Sequence, residues 1–257
     1  MSLHWLRRYN LIIYNSVDST NTEAKRLVRS GISNNFIIWA NEQTQGRGRN
    51  NRIWYSEPGS LYMTIVVINE IESQYQYQIP FILANTLFET LTRLKKNNNK
   101  ILDIKLKWPN DIIVNDKKIS GILIESLKFN YNLYYIIGVG INILSYPKMQ
   151  GIHATSLQKE GIALDRIDYL LNDFVNIFDK NLFSWILSSF DFVEIRNKWL
   201  SRAYKLNQPI TVIHEGKKKS GIFNSIDQGD GSLIIKLDDN NLYHSRSAII
   251  EDSNVVL

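Results

Sequence analysis

Gly46-Arg47-Gly48-Arg49-Asn50-Asn51-Arg52-Ile53-Trp54-Tyr55-Ser56 is the stretch around which the rest of this chain is read. It sets three guanidinium groups on a glycine-jointed loop that ends in a tryptophan. Each arginine offers a planar fork of donors matched to phosphate or carboxylate. The glycines allow close backbone approach, and the indole offers a face for a flat ring. Taken alone, the loop reads equally as an anion cradle, a solvated turn or a nonspecific nucleic-acid patch.

Strand signals flank the loop. Upstream, from Asn35 to Glu42, Phe36, Ile38 and Ala40 alternate with Ile37, Trp39 and Asn41. Downstream of Pro58-Gly59, Ser60 to Ile68 is almost continuously hydrophobic, which predicts a core strand buried on both faces. Thr20-Asn21-Thr22-Glu23 fits a capping box opening a helix to Ser30, with Gly31 as a left-handed stop. From Gln78 to Leu94, apolar residues recur at spacings of three and four, predicting a helix that covers the sheet. Further strands are expected over Ile104 to Trp108, Asp111 to Val114, Ile119 to Ser126 and Leu133 to Ile143, the middle pair joined by a turn at Asn115-Asp116-Lys117-Lys118. The polar run Lys95 to Lys100 reads as a solvated helix end or loop.

Two helical patterns follow, over Asp165 to Asn181 and Phe183 to Trp199. Beyond Tyr204 the texture changes to short alternating segments: Pro209 to His214, Lys218 to Asp227, Ser232 to Leu237 and Asn241 to Ser245. They predict a small β-barrel. The expected fold class is α+β, with packed domains over residues 1–203 and 204–257.

At 257 residues, 44% hydrophobic and 21% charged, the chain has the composition of a soluble globular protein with one substantial core. A net charge of +5 suits nucleic acid, an acidic protein or an anionic small substrate and chooses among none of them. The absence of cysteine excludes disulfides and thiolate zinc sites. No apolar run of about 18 residues and no secretory start is present, so a cytoplasmic protein with no membrane partner is expected.

Three more segments carry chemistry. In Lys107-Trp108-Pro109-Asn110-Asp111, proline stops one strand and Asn110-Asp111 turns the chain, placing a carboxylate where two strand ends meet; an Asx-turn is the plainer alternative. Lys118 precedes a core strand, where a lysine is usually an edge gatekeeper. The glycines of Gly138-Val139-Gly140-Ile141-Asn142 interrupt an apolar strand, pointing to a ligand or another backbone passing close. No third glycine makes this a dinucleotide fingerprint.

In order and spacing these segments resemble the biotin protein ligases, also called biotin–acetyl-CoA-carboxylase ligases. The resemblance rests on Ser19-Thr20-Asn21, Gln43 with Gly46-Arg47-Gly48-Arg49, Trp54-Tyr55-Ser56 and Gly59-Ser60-Leu61-Tyr62. It continues through Lys107 to Asp111, Lys118, Gly121-Ile122-Leu123-Ile124-Glu125 and Gly138 to Asn142. It extends from about residue 13 to the C-terminus, the last part matching in kind more than in letters. It implies a class II aminoacyl-tRNA synthetase-like mixed β-sheet flanked by helices, plus a small C-terminal SH3-like β-barrel. It also implies that biotin and ATP form biotinyl-5′-adenylate, with Mg2+ accompanying ATP, and that the biotinyl group passes to a lysine of a biotin carboxyl carrier domain.

By the same resemblance, Arg49, Lys118 and Asp111 are the catalytic candidates. Ser19, Thr20, Asn21, Gln43, Gly46, Arg47, Gly48, Arg49 and Lys118 are the biotin-binding candidates. Arg49, Arg52, Trp54 and Asn142 would hold the nucleotide, and no protein metal ligand set is expected. Trp108, Ile122 and Leu123 would form the apolar pocket. Family members often continue the loop as Arg-Arg-Gly-Arg, whereas this chain has Arg49-Asn50-Asn51-Arg52, losing a cation and a glycine. Only 18 residues precede Ser19, too few for the winged helix-turn-helix of about 60 residues some relatives carry, so no DNA partner is expected. A homodimer through the strands between Ile119 and Ile143 is an open expectation. The competing readings are a lipoate or octanoate ligase of the same superfamily, a nucleic-acid-binding module and an inactive relative. Thiol-based acyl transfer is closed to a chain without cysteine.

Overall fold

The computed structural model describes residues 8–97, 101–148, 152–164 and 166–251. Seven strands form its main sheet: β1 (Asn10–Val17), β2 (Phe36–Gln43), β3 (Leu61–Ile68), β4 (Ile104–Lys107), β5 (Asp111–Val114), β6 (Lys117–Phe129) and β7 (Asn132–Ile141). Their order across the sheet is β1-β2-β3-β7-β6-β5-β4. Only the β1–β2 pairing is parallel, so the sheet is mixed. Strand β1 has no counterpart among the sequence expectations, because its residues are mostly half-exposed and lack a buried alternation.

One face of the sheet carries Ile37, Met63, Ile65 and Ile137 and is covered by α2 (Ile79–Asn97) and α3 (Ile167–Leu187) in the main core. The other face is covered only in part. There α1 (Thr20–Arg29) lays Ala24 and Val28 on Phe36, Ile38, Val66 and Ile136. The bare remainder of that face, over β7, β6 and β5, is where the candidate site lies. β3 is buried along almost its whole length, as its continuous hydrophobicity implies. No described helix is long and apolar enough to cross a membrane.

Two local expectations are corrected. Ser19 is the N-cap of α1, and its side chain makes no capping bond; the Glu23 amide donates to the Ser19 carbonyl instead. The hydroxyl of Thr20, assigned to a capping box by sequence, is thereby directed elsewhere. The helix break expected near residue 182 lies at Ser188 to Phe192, since Leu182 and Trp185 continue the buried stripe of α3. The chain reverses at Ser189 and Phe190, both at positive φ, and Phe190 stacks on Tyr75 before α4 (Val193–Leu200) begins. Asp165, the expected start of the first of these helices, lies outside the described residues, as do Asn98 to Lys100.

The C-terminal strands are β8 (Pro209–His214), β9 (Lys217–Ile226), β10 (Leu233–Lys236), β11 (Leu242–Ser245) and β12 (Ile249–Glu251). They form an antiparallel five-stranded sheet in the order β11-β10-β9-β8-β12, the small β-structure anticipated after Tyr204. β12, three residues long, gave no readable periodicity. This sheet packs on the larger one without a linker. Phe223 and Ile235 share the main core, the Leu106 amide donates to the Arg202 carbonyl, and Trp108 Nε1 donates to the Gly231 carbonyl at 3.2 Å.

Candidate active site

A cavity of about 700 Å3 opens over the bare part of the sheet, within the size range of small-molecule sites. Its floor is made where β6 and β7 pair Gly121 with Gly140 and Leu123 with Gly138. A Cβ on Gly140 would lie 2.6 Å from Trp54 Nε1, and one on Gly121 would lie 3.0 Å from Trp54 Cζ3. The indole therefore lies against both glycines. At Gly138, a Cβ would lie 2.5 Å from Asn21 Oδ1. The expectation that these glycines admit a ligand or another backbone is corrected: they admit two side chains, brought from the loop and from α1.

The loop that delivers Trp54 is a tight return. Arg47 bridges Ile53, the Gly48 amide donates to the Arg52 carbonyl at 2.7 Å, and the Trp54 amide donates to the Gly46 carbonyl at 2.9 Å. At its tip Asn50 and Asn51 sit at φ 53° and 58°. Asparagine is among the few non-glycine residues that tolerate this left-handed conformation, so the turn survives the missing glycine. Gly46 itself is buried and lies outside the cavity lining, whereas Gly48, Arg49 and Arg52 line it.

Lys118 reaches the same cavity through a β-bulge. The β5–β6 register pairs Asp111 with Gly121 and Ile113 with Lys118, with a shift between Ile112 and Ile113 that leaves Ile119 unpaired opposite β5. In a regular strand, residues three apart face opposite sides. The bulge puts Lys118 and Gly121 on one side while Ile119 stays fully buried on the other. The gatekeeper reading of Lys118 fails for a related reason: its backbone pairs with β5 and also with the segment at Ala154, so it is no edge residue.

The charges of the site fall into three arrangements. The Lys118 ammonium lies 2.7 Å from Asp111 Oδ1, yet this buried oxygen makes no well-directed hydrogen bond. The same ammonium sits 5.2 Å from the centre of the Trp54 ring, within cation–π range. Arg47 is tied down, its Nη2 donating at 3.2 Å to Thr22 Oγ1 and at 3.2 Å to Glu125 Oε2. Arg49 is different. Among the described residues it forms no ion pair; burial pushes its pKa down, Asp111 pushes it back up and Arg52 lowers it further. A desolvated, unpaired guanidinium facing a cavity favours an anion.

On the α1 side, Gln43 Oε1 accepts from the Thr20 amide at 2.9 Å and the Thr20 hydroxyl at 3.1 Å, while Gln43 Nε2 donates to Ser56 Oγ at 2.8 Å. Ser19, Thr20, Asn21 and Gln43 all line the cavity. The Asn21 amide is already committed, donating to Leu123 O and Glu125 Oε2 and accepting from Thr64 Oγ1 at 2.7 Å. Its contribution is the shape of the wall. Asn142, expected at the nucleotide, is buried beside the cavity without lining it, and its Nδ2 donates to Thr155 O at 2.9 Å. It anchors the segment that follows β7.

Sequence reasoning missed the far wall. Ile213, Ala248, Ile249 and Ile250 of the C-terminal sheet line the cavity, as do Ile152 and His153. They stand far from the motifs in sequence, so proximity could not be read from the chain. Trp108, Ile122 and Leu123 line it as expected, with the first two also in the main core.

Residues 13–142 match the model of the biotin/lipoate A/B protein ligase family. The chain belongs to that family. A biotin–[acetyl-CoA-carboxylase] ligase of Paracoccus denitrificans is 31% identical over 228 residues, 85% of this chain and 91% of the relative. A bifunctional ligase/repressor of Bacillus subtilis is 29% identical over 164 residues, and the chain spans about half of its length. Among solved structures, the biotin protein ligase of Aquifex aeolicus in complex with biotin and ATP matches with a TM-score of 0.77 at 29% identity, covering 95% of this chain and 99% of that one. The family resemblance drawn from the short motifs is borne out, and the relatives lie in the biotin branch of the family.

Proposed function

We infer that this member of the family is a biotin protein ligase that activates biotin with ATP and passes the biotinyl group to a carrier lysine. The observation that carries this reading is the convergence in one cavity of an unpaired Arg49, the Lys118–Asp111 pair and a Trp54 laid on glycines. In the first half-reaction a biotin carboxylate oxygen bonds to the α-phosphorus and pyrophosphate leaves. Two anions meet in that step, and Arg49 and Lys118 neutralise their charge. Trp54 has one face on the glycine floor and offers the other to adenine, with Arg52 alongside.

The polar wall of Ser19, Thr20 and Gln43 supplies the donors and acceptors a ureido ring requires, helped by the Arg47-Gly48 backbone and shaped by Asn21. Magnesium enters as part of the Mg-ATP substrate. Held in that substrate, the ion would take most of its ligands from phosphates and water. In the second half-reaction the carrier amine bonds to the biotinyl carbonyl carbon, AMP leaves, and the Asp111 carboxylate takes the amine proton.

The partner is a biotin carboxyl carrier domain and the location the cytoplasm. The domain division at residues 1–203 and 204–257 belongs to the same proposal, with the smaller unit closing one wall of the cavity. A homodimer would use the outer edge of β6 beyond Gly121, because β7 is paired on both sides. Pyrophosphate release measured with biotin, lipoate or octanoate tests the reading. Release with biotin alone is expected, and release with lipoate or octanoate but not biotin would overturn it.

A further inference from the structure

Glu125 lies on β6 four residues beyond Gly121, on the same side of the strand, and its carboxylate joins three elements. It accepts from Lys25 Nζ at 2.5 Å and Asn21 Nδ2 at 2.9 Å, both on α1, and from Arg47 Nη2 at 3.2 Å, on the loop. Among the described residues Arg47 makes its only other side-chain bond to Thr22, also on α1, and its buried Nε has no partner. The loop's side-chain attachment to the sheet through Arg47 thus runs through one carboxylate.

We propose that Glu125 is a positioning residue that holds Arg47, and with it the closed course of the Gly46-to-Ser56 loop, leaving Arg49 free to meet the reacting anion. This inference deepens, and rests on, the ligase reading above. The two arginines of Gly46-Arg47-Gly48-Arg49 look equivalent in sequence and are made unequal by Glu125: one guanidinium is neutralised by a carboxylate, the other has no ion-pair partner among the described residues. Burial alone would raise the Glu125 pKa, but the bonds from Lys25 and Asn21 and the charge of Arg47 outweigh it and hold the carboxylate below the usual range. It is therefore charged at neutral pH. Replacing it by glutamine keeps the size and an acceptor for Asn21 but leaves Lys25 and Arg47 as two facing cations without a counter-charge.

The experiment uses the whole chain and four proteins: wild type, Glu125→Gln, Arg47→Met and the double variant. Biotinyl-adenylate is formed from biotin and Mg-ATP with pyrophosphatase present, and its release is timed after gel filtration. Glu125→Gln is expected to shorten retention about tenfold, the size of one charge-assisted hydrogen bond, and to raise the KM for biotin more than it lowers kcat. Arg47→Met should do the same, and the double variant no worse than either single one. Additive losses, unchanged retention in Glu125→Gln, or a fall confined to kcat would overturn the proposal. A second readout needs no ligand. Trypsin cleavage after Arg49 and Arg52 in the ligand-free protein, mapped by mass spectrometry, should accelerate in Glu125→Gln with other sites unchanged; equal cleavage would overturn the latch. A wild type that forms no adenylate while its loop still loosens in Glu125→Gln would sink the ligase reading alone.

Discussion

Trp54 rests on the sheet only because Gly140 and Gly121 have no side chains, and this can be tested by adding one methyl group. In Gly140→Ala the new Cβ meets Trp54 Nε1 and Cε2 at 2.6 Å and Cζ2 at 2.8 Å. Ordinary carbon contacts lie near 3.5–4.0 Å, so the ring must lift by about 1 Å. Lifting also disturbs its contact with the Lys118 ammonium. Overpacking of this kind costs about 2 kcal/mol, which for a chain of this length lowers Tm by roughly 4–8 °C. In Gly121→Ala the nearest contact is 3.0 Å, with the next at 3.4 Å, and about half that loss is expected. Calorimetry of the ligand-free variants gives the stabilities, and initial rates of biotin-dependent pyrophosphate release give the KM for ATP, which should rise more in Gly140→Ala. Repeating Gly140→Ala in a Trp54→Ala background should remove most of the penalty. The reasoning fails if the penalty persists without the indole, or if Gly121→Ala proves the more harmful of the two.

Lys118→Ala should lower adenylate formation by about 10²–10³-fold, whereas Asp111→Asn should mainly slow transfer from preformed adenylate to carrier; equal loss in both half-reactions would remove the proton-accepting role. Asn50→Arg with Asn51→Gly restores the lost cation and places glycine at a φ of 58°. Slower release of adenylate is expected, and indistinguishable release would show that these asparagines do not loosen the loop. Glu125 has a depressed pKa through Lys25, Asn21 and Arg47, so its stabilising contribution is complete above the ordinary glutamate range and lost as pH falls through the lowered folded value. The Tm difference between wild type and Glu125→Gln should stay constant from neutral pH down to that range and shrink below it. A difference that grows with acidification would reverse the assignment.

Regularly spaced features were legible in the sequence. The apolar spacing of α2, the continuous hydrophobicity of β3 and the turn at Asn115-Asp116, both left-handed at φ 48° and 62°, follow from local chemistry. What escaped depends on partners distant in sequence. The β5–β6 bulge that turns Lys118 toward Gly121 shows only in the ladder, and Gly138 and Gly140 announced a close approach without saying that Asn21 and Trp54 make it. Asn142, placed by resemblance near the nucleotide, is held by a carbonyl thirteen residues later in the chain. Glu125 stood in a quoted motif, but a carboxylate two positions past Leu123 gives no sign of the lysine, asparagine and arginine that converge on it.

Biotin transfer itself is the most direct measurement of the central claim. The whole chain is incubated with biotin, Mg-ATP and a biotin carboxyl carrier domain, and the carrier's intact mass is followed with and without each substrate. The account predicts a gain of one biotinyl group on one lysine, dependent on both biotin and ATP and lost in Lys118→Ala. A carrier that a reference ligase modifies but this chain leaves unchanged would contradict it.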